Sequence, residues 1–329
     1  MQNVPTGYYP YTNLVFEGGG VKGVAYGGVL EVLEQSAITP QIVNVAGTSA
    51  GAITATLVSL NYAADEFIEL MMNLDFSTLE DGIAIGGIGR LLEDYGWYKG
   101  DVFLSDMEKF IAAKTGSGDG RDTFRDLQGR GFKSLRVFAT NLSRQTLQQF
   151  SFETTPDVAV ADAVRMSMSI PFFFEARTYK NDVYCDGGVL DNYPIWTYDA
   201  TAEQSDPDSP RPMHVRTPNP ATLGFHLGKL NPPRLDINHL TRFAAAVFDA
   251  LLDIQDILLR ATPGDYRRTV FIDTLGVNTT DFHITTAQKV ALVEQGRIAT
   301  ADYLGRGGAG KDRLPDVGRL RRPVETTPR

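Results

Sequence analysis

Of everything in this sequence, the run Val45-Ala46-Gly47-Thr48-Ser49-Ala50-Gly51-Ala52 leaves the backbone least choice. Upstream, Gln41-Ile42-Val43-Asn44-Val45 is short, apolar and β-branched and reads as a strand. Downstream, Ala50 to Leu60 is rich in Ala, Leu and Thr, lacks Pro, and reads as a helix. Between them Gly47-Thr48-Ser49-Ala50-Gly51 fits Gly-x-Ser-x-Gly. So sharp a turn brings strand and helix backbones together, which favours glycine at 47 and 51. It also lifts Ser49 to the apex, with its hydroxyl exposed above the sheet. The helix N-terminus behind the serine favours a developing alkoxide or oxyanion. The same pentapeptide also suits a plain turn whose serine is only an N-cap.

Strands and helices alternate along most of the chain. Asn13-Leu14-Val15-Phe16 reads as a strand and Val24 to Gln35 as a helix, followed by helices over Asp65 to Leu74 and Asp101 to Lys114. Leu135 to Asn141 is a strand, with Gln148 to Phe152 beside it. Val158 to Ser169 is helical and Pro171 ends it. Ser205 to Pro233 is dense in proline and reads as a surface excursion, interrupted by a strand at Leu223 to Leu227. Thr241 to Leu259 is a long amphipathic helix with Phe243, Val247, Leu251 and Leu258 on one side. Val270 to Asp273 is a late strand and Thr285 to Leu304 a closing helix. This order predicts an α/β fold, a mostly parallel central sheet with helices on both faces. One domain is expected over residues 1–304, followed by a disordered Gly-, Pro- and Arg-rich tail over 305–329.

Charge and composition exclude several functions. The net charge of −9 argues against nucleic acid as the main partner and against strong attraction to anionic lipid. Cys185 is the only cysteine, so no intrachain disulfide forms. The N-terminus lacks the basic and apolar regions of a secretory signal, and no stretch is long enough to span a membrane. A cytoplasmic protein, or one in peripheral contact with a membrane, is expected. The tail from Arg306 carries +4, leaving −13 on the body, and adds weak attraction to anionic lipid.

Gly18-Gly19-Gly20-Val21-Lys22-Gly23 follows the first strand and opens a helix, matching G-x-G-x-x-G. A dinucleotide site needs an acidic residue at the end of the second strand. Here Gly47-Thr48-Ser49 stands there instead. The other use of such a loop is an oxyanion hole, since consecutive glycines let backbone N–H groups converge without side chains in the way. Lys22 either neutralises an anionic substrate or is solvated.

A reactive serine needs a base. His214, His226, His239 and His283 are the only histidines, and none follows a strand in a way that presents it beside Ser49, so each reads as structural or solvated. Asp186 ends the strand Val183-Tyr184-Cys185 and precedes Gly187-Gly188. A carboxylate there, held close and partly desolvated, can take the serine proton directly. Asp-Gly-Gly is equally a common turn.

In this order, Gly18 to Gly23, Gly47 to Gly51 and Asp186-Gly187-Gly188 together resemble the patatin-like phospholipase family. Arg165-Met166-Ser167-Met168-Ser169-Ile170-Pro171-Phe172 is similar to that family's Ser-x-Ser-x-Pro segment, and Asp186 to Pro194 to its D-G-G-x-x-x-N-x-P run. The resemblance implies a patatin-like three-layer sandwich and a Ser–Asp dyad, with Ser49 as nucleophile and Asp186 as base. It assigns the oxyanion hole to Gly18, Gly19, Gly20, Val21, Lys22 and Gly23. Gly47, Thr48, Ala50 and Gly51 build the nucleophile turn, and Gly187 and Gly188 follow the base. The implied reaction is hydrolysis of a fatty acyl ester through an acyl-enzyme, of phospholipase A or lysophospholipase type, without metal or cofactor. Two alternatives are a neutral acylglycerol lipase and a nucleotide-binding regulatory protein. The partner is the lipid ester; an activating protein or a homo-oligomer is left open. Members of the family include exported effectors, so the missing signal does not decide the compartment. Ile83 to Gly89, Trp97-Tyr98 and Phe172-Phe173-Phe174 are candidates to line an acyl groove or touch a bilayer, with Ile83 to Gly89 as a mobile lid.

Overall fold

The computed structural model describes residues 9–80, 95–204, 213–228, 236–238 and 240–307. Five parallel strands form most of an eight-stranded sheet. These are β1 (Asn13–Phe16), β2 (Asn44–Thr48), β4 (Ser134–Asn141), β11 (Thr222–Gly228) and β12 (Thr269–Asp273). Their spatial order is β12-β11-β1-β2-β4. Beyond β4 the direction reverses: β8 (Asp182–Asp186) runs antiparallel to it, β7 (Arg177–Tyr179) follows β8, and β5 (Thr146–Phe150) also pairs β4. Two small sheets lie apart, β3 (Gly96–Tyr98) with β6 (Phe172–Phe174), and β9 (Ala200–Gln204) with β10 (Met213–Thr217).

Alternation along the strands gives each face its own core. Leu14, Phe16, Val45, Val137 and Phe225 turn toward the larger cluster. That face is covered by α1 (Tyr26–Gln35), α2 (Ala50–Ser59), α3 (Ala64–Asn73), α4 (Asp101–Thr115), α5 (Phe124–Gly129), α6 (Val160–Ser167) and the closing helix α9 (Thr286–Gly305). Val15, Ala46 and Phe138 turn the other way, under Tyr193, Ile195 and Leu259. Leu259 belongs to the long helix α7 (Leu240–Ala261), which the short α8 (Pro263–Arg267) follows. The fold is the α/β layered sheet read from the sequence, with one thick helical layer and one thin.

Three readings are corrected. The second strand begins at Asn44, not Gln41, and continues through Ala46, Gly47 and Thr48, because both its neighbours pair with those small residues. The strand read at Leu223 to Leu227 is present as β11, but it lies buried between β1 and β12 and not within a surface excursion. On α7, the apolar side holding Phe243, Val247, Leu251 and Leu258 faces out. The Ile83 to Gly89 lid and residues 308–329 of the tail lie outside the described residues.

The thin layer is anchored by charge. Arg268 is buried between Asp199 and Asp265, and Arg216 reaches the same two carboxylates. Removing one partner of a buried pair strands the other charge and costs about 3–5 kcal/mol. Asp199→Ala is therefore expected to lose stability on that scale, read as a lower urea midpoint. A loss below about 1 kcal/mol would mean the network is solvated and contributes little.

Candidate active site

Ser49 stands at the junction of β2 and α2 with φ 54° and ψ −125°, a backbone region that costs a non-glycine residue about 1–3 kcal/mol. Contacts on both sides hold it there. A Cβ on Gly47 would meet the Gly51 carbonyl at 2.2 Å, and one on Gly51 would meet the Phe16 carbonyl at 2.2 Å, so neither position admits a side chain. The Ser49 N–H donates to Ser167 Oγ at 2.8 Å, and Ser167 Oγ donates to the Phe138 carbonyl at 2.5 Å. The serine is only 4% exposed, so the hydroxyl expected above the sheet lies beneath covering structure.

Strand register brings Asp186 to the same level. Thr48 pairs with Phe138 of β4, and Ala139, the next residue, pairs with Asp186 of β8. Thr48 and Asp186 thus meet β4 at successive residues, which brings Ser49 and the aspartate together where β2 ends and β8 ends. The Asp186 N–H donates to the Ser169 carbonyl at 2.8 Å, and its Oδ1 accepts from the Gly188 N–H at 2.7 Å. The Ser49 hydroxyl lies close enough to this carboxyl to favour its ionised form, and Oδ2 is buried with no hydrogen-bond partner among the described residues. Complete burial pushes the Asp186 carboxyl up to about 7, although the Ser49 hydroxyl and the hydrogen bond from Gly188 pull it down. A carboxyl titrating there beside a serine can take the hydroxyl proton at neutral pH. Both serines of the Ser167 to Pro171 segment are engaged, Ser167 at the Ser49 amide and Ser169 at Asp186. Arg165, buried, donates to Ser169 Oγ and to the carbonyls of Gly100, Lys99 and Glu175.

The glycine loop meets the serine directly. A Cβ on Gly18 would lie 2.9 Å from the Ser49 Cβ. Its backbone donors are not equivalent. The Gly18 N–H is taken by the Asn192 carbonyl, Val21 N–H by that of Thr279, and Lys22 N–H by that of Gly19. Gly19 and Gly20 show no backbone acceptor for their N–H groups outside the helical turn that follows, among the described residues. Lys22 is buried against the negative field of Glu17 and Asp256 and is not solvated.

Sequence reasoning missed three contributors. Asn192 joins the two loops: Nδ2 donates to the Gly18 carbonyl and to Glu17 Oε1, at 3.0 and 3.1 Å. It sits inside the Asp186 to Pro194 run, the one signal that could have singled it out. Gln255 on α7 fastens that run from outside, accepting from the Asn192 N–H at 2.7 Å and donating to the Gly188 carbonyl at 2.8 Å. No motif marks it. Glu17 accepts from the Leu227 N–H at 2.6 Å and lies 3.5 Å from His226, which also pairs with Asp256. Burial alone would lower the His226 pKa, but the two carboxylates outweigh it and raise it. His226 is structural, as expected; His283 is exposed, and His239 lies outside the described residues.

Of the apolar candidates, Phe173 and Phe174 are core residues packed on Phe282, while Phe172 is half exposed. Tyr98 packs on Phe174. A narrow apolar slot of about 30 Å³ runs instead from Gly20, Gly23 and Ala50 past Ile53 and Met71 to Phe103 and Met107.

Comparison with known proteins adds to this geometry. A sequence profile of the patatin-like phospholipases matches residues 14–198. The chain is 33% identical to the uncharacterized protein YqhO of Bacillus subtilis (strain 168), over 89% of its own length and 98% of the relative's. It is 30% identical to the probable lipid hydrolase 463L of Invertebrate iridescent virus 6, over 56% of its own length and 62% of that protein, less than two thirds of it. The crystal structure of VipD from Legionella pneumophila shares the fold, with a TM-score of 0.59 at 18% identity, over 90% of this chain and 67% of that one. With a matching profile over more than half its length, and a relative aligned nearly end to end, the chain belongs to the patatin-like phospholipase family.

Proposed function

We propose that this protein is a lipid acyl hydrolase of phospholipase A or lysophospholipase type, working through Ser49 and Asp186. The observation that carries the reading is the fully buried Asp186 carboxyl beside Ser49, with one oxygen bonded to the Gly188 N–H, the other without a partner among the described residues, and its pKa pushed up to about 7 by burial. Ser49 Oγ attacks the acyl carbonyl carbon and its proton passes to Asp186. The tetrahedral oxyanion takes hydrogen bonds from the Gly19 and Gly20 N–H groups, each worth about 2.7–4 kcal/mol in the transition state. Collapse expels the alcohol, which leaves with the proton from Asp186. Water then attacks the acyl-enzyme, giving its proton to Asp186, and the fatty acid departs as Ser49 is reprotonated. The apolar slot that Ala50 lines has the right chemistry for an acyl chain, but at about 30 Å³ it must widen to admit one. A nucleotide reading is less well supported: the buried Glu17 carboxylate precedes the glycine loop, and three of the loop's donors, the N–H groups of Gly18, Val21 and Lys22, are already used.

Incubation with mixed phospholipid vesicles, followed by mass spectrometry, tests this. The unmodified protein should release fatty acid and lysophospholipid. Ser49→Ala and Asp186→Asn should each lower the rate at least a thousandfold. Retained activity in Asp186→Asn would remove the aspartate from the mechanism. Turnover of a triacylglycerol emulsion in place of phospholipid would favour the neutral lipase reading.

Because the base acts only when ionised, kcat/KM on a soluble ester should rise through one proton step with a midpoint near pH 7. A profile flat from pH 5 to 9 would contradict the assignment. Stability carries the opposite sign. The folded pKa lies above the unfolded value of about 3.9, so the penalty is absent below that pH, grows as pH rises, and is complete above about 7. Asp186→Asn should therefore be more stable than the parent at pH 8, on the order of 2–4 kcal/mol. That gain should fade toward pH 4 in melting experiments. A destabilised variant at pH 8 would show that the carboxylate is stabilised where it lies.

A further inference from the structure

Helix α7 is apolar on two opposite sides. Its inner side is fixed in place: Ala244, Phe248 and Leu259 are buried, and Gln255 bridges Gly188 and Asn192. Asp256 pairs with His226, and Asp249 accepts from Thr279 Oγ1 at 3.1 Å. The helix therefore cannot roll to hide its other side. There Leu240, Phe243, Val247, Leu251, Ile254 and Leu258 are each between 39% and 63% exposed. They form a line about 27 Å long. Ile237 extends it at one end, and at the other Leu258 shares a cleft with Leu190 and the exposed Trp196. Leu190 lies two residues past Gly188, so the patch reaches the loop that carries Asp186. An exposed apolar surface of this extent marks an interface.

The pattern and the charges indicate what covers it. The steps between successive apolar residues are 3, 4, 4, 3 and 4, a mean of 3.6. That period keeps the line running along one side of the α-helix over its whole length. Arg242 and Arg260 are outnumbered on the helix by Asp249, Asp253 and Asp256, and the chain carries −9, so anionic headgroups are not attracted. We infer that the outer face of α7 lies on the surface of a neutral or zwitterionic lipid assembly, with the helix in the plane of the interface and the Asp186 loop beside the lipid. The identity of the surface as substrate rests on the proposed acyl hydrolase activity; the docking itself does not.

The test uses full-length protein carrying Ser49→Ala, so that no lipid is consumed, sedimented with phosphatidylcholine vesicles. Binding that is insensitive to salt is expected, falling at least tenfold when Leu251→Ser and Ile254→Ser are added together. In the Ser49 background the same pair should leave turnover of a soluble short-chain ester within twofold, with an unchanged melting temperature. Absence of vesicle binding, or equal binding with and without the pair, overturns the inference. So does light scattering that finds a dimer which the pair dissociates, since the face would then join two copies. Failure to hydrolyse the soluble ester would refute the catalytic reading and leave the vesicle result standing by itself.

Discussion

Removing a carboxyl group from water is unfavourable unless its charge is neutralised or well solvated by the protein, and Asp186 is wholly buried with a hydrogen bond from Gly188 on one oxygen and no partner on the other among the described residues. The rest of the site depends on keeping that group dry but not fully satisfied. A second backbone donor or a nearby cation would draw its pKa back toward that of an ordinary aspartate. Arg165 is buried not far along the chain, yet its guanidinium is bound to backbone carbonyls and Ser169. The two retained roles, burial and incomplete solvation, explain why Gly187 and Gly188 follow the aspartate. A Cβ on Gly187 would strike the Phe138 carbonyl at 2.5 Å and hold the loop away from β4.

Around this carboxyl the structure is a set of mutual braces. Ser49 is kept in an unfavourable backbone conformation by Ser167, which hangs from β4. Asp186 is held by Ser169, two residues further on the same segment. Nucleophile turn and aspartate strand are thereby referenced to one short stretch of chain. The glycine loop is referenced to the aspartate loop in its turn, through both the backbone and side chain of Asn192. Gln255 closes the set from α7, outside the stretch matched by the family profile. A site assembled this way tolerates little independent movement of its parts.

How much of this could be read in advance follows from the range of the forces involved. The requirement for glycine at 47 and 51 is set within five residues, so the pentapeptide declares it. The end of a strand at Asp186, ahead of two glycines, is also a local signal and is where β8 ends. Asn192 lay in a run already noted, but its purpose exists only once two loops separated by about 170 residues meet. Gln255 is invisible for the same reason. The second strand was misplaced because Ile42 and Val43 have stronger β preference than Ala46 and Gly47, and ladder pairing overrode it. Periodicity found α7 but not its orientation: a helix apolar on two sides does not announce which side its neighbours take.

The position of β11 has a consequence for how the chain is made. β1 is synthesised before the other described strands, and its four residues are buried in the finished sheet. One edge of β1 is closed by β2 soon afterwards, but the other belongs to β11, more than 200 residues later. Until then the nascent chain carries an apolar strand with one row of backbone donors and acceptors unpaired, which is the template on which chains pair wrongly. The long separation between these partners also slows folding, because the connecting loop must close before the contact can form. Synthesis of this protein thus includes an extended interval of vulnerability, during which protection by a chaperone is worth most.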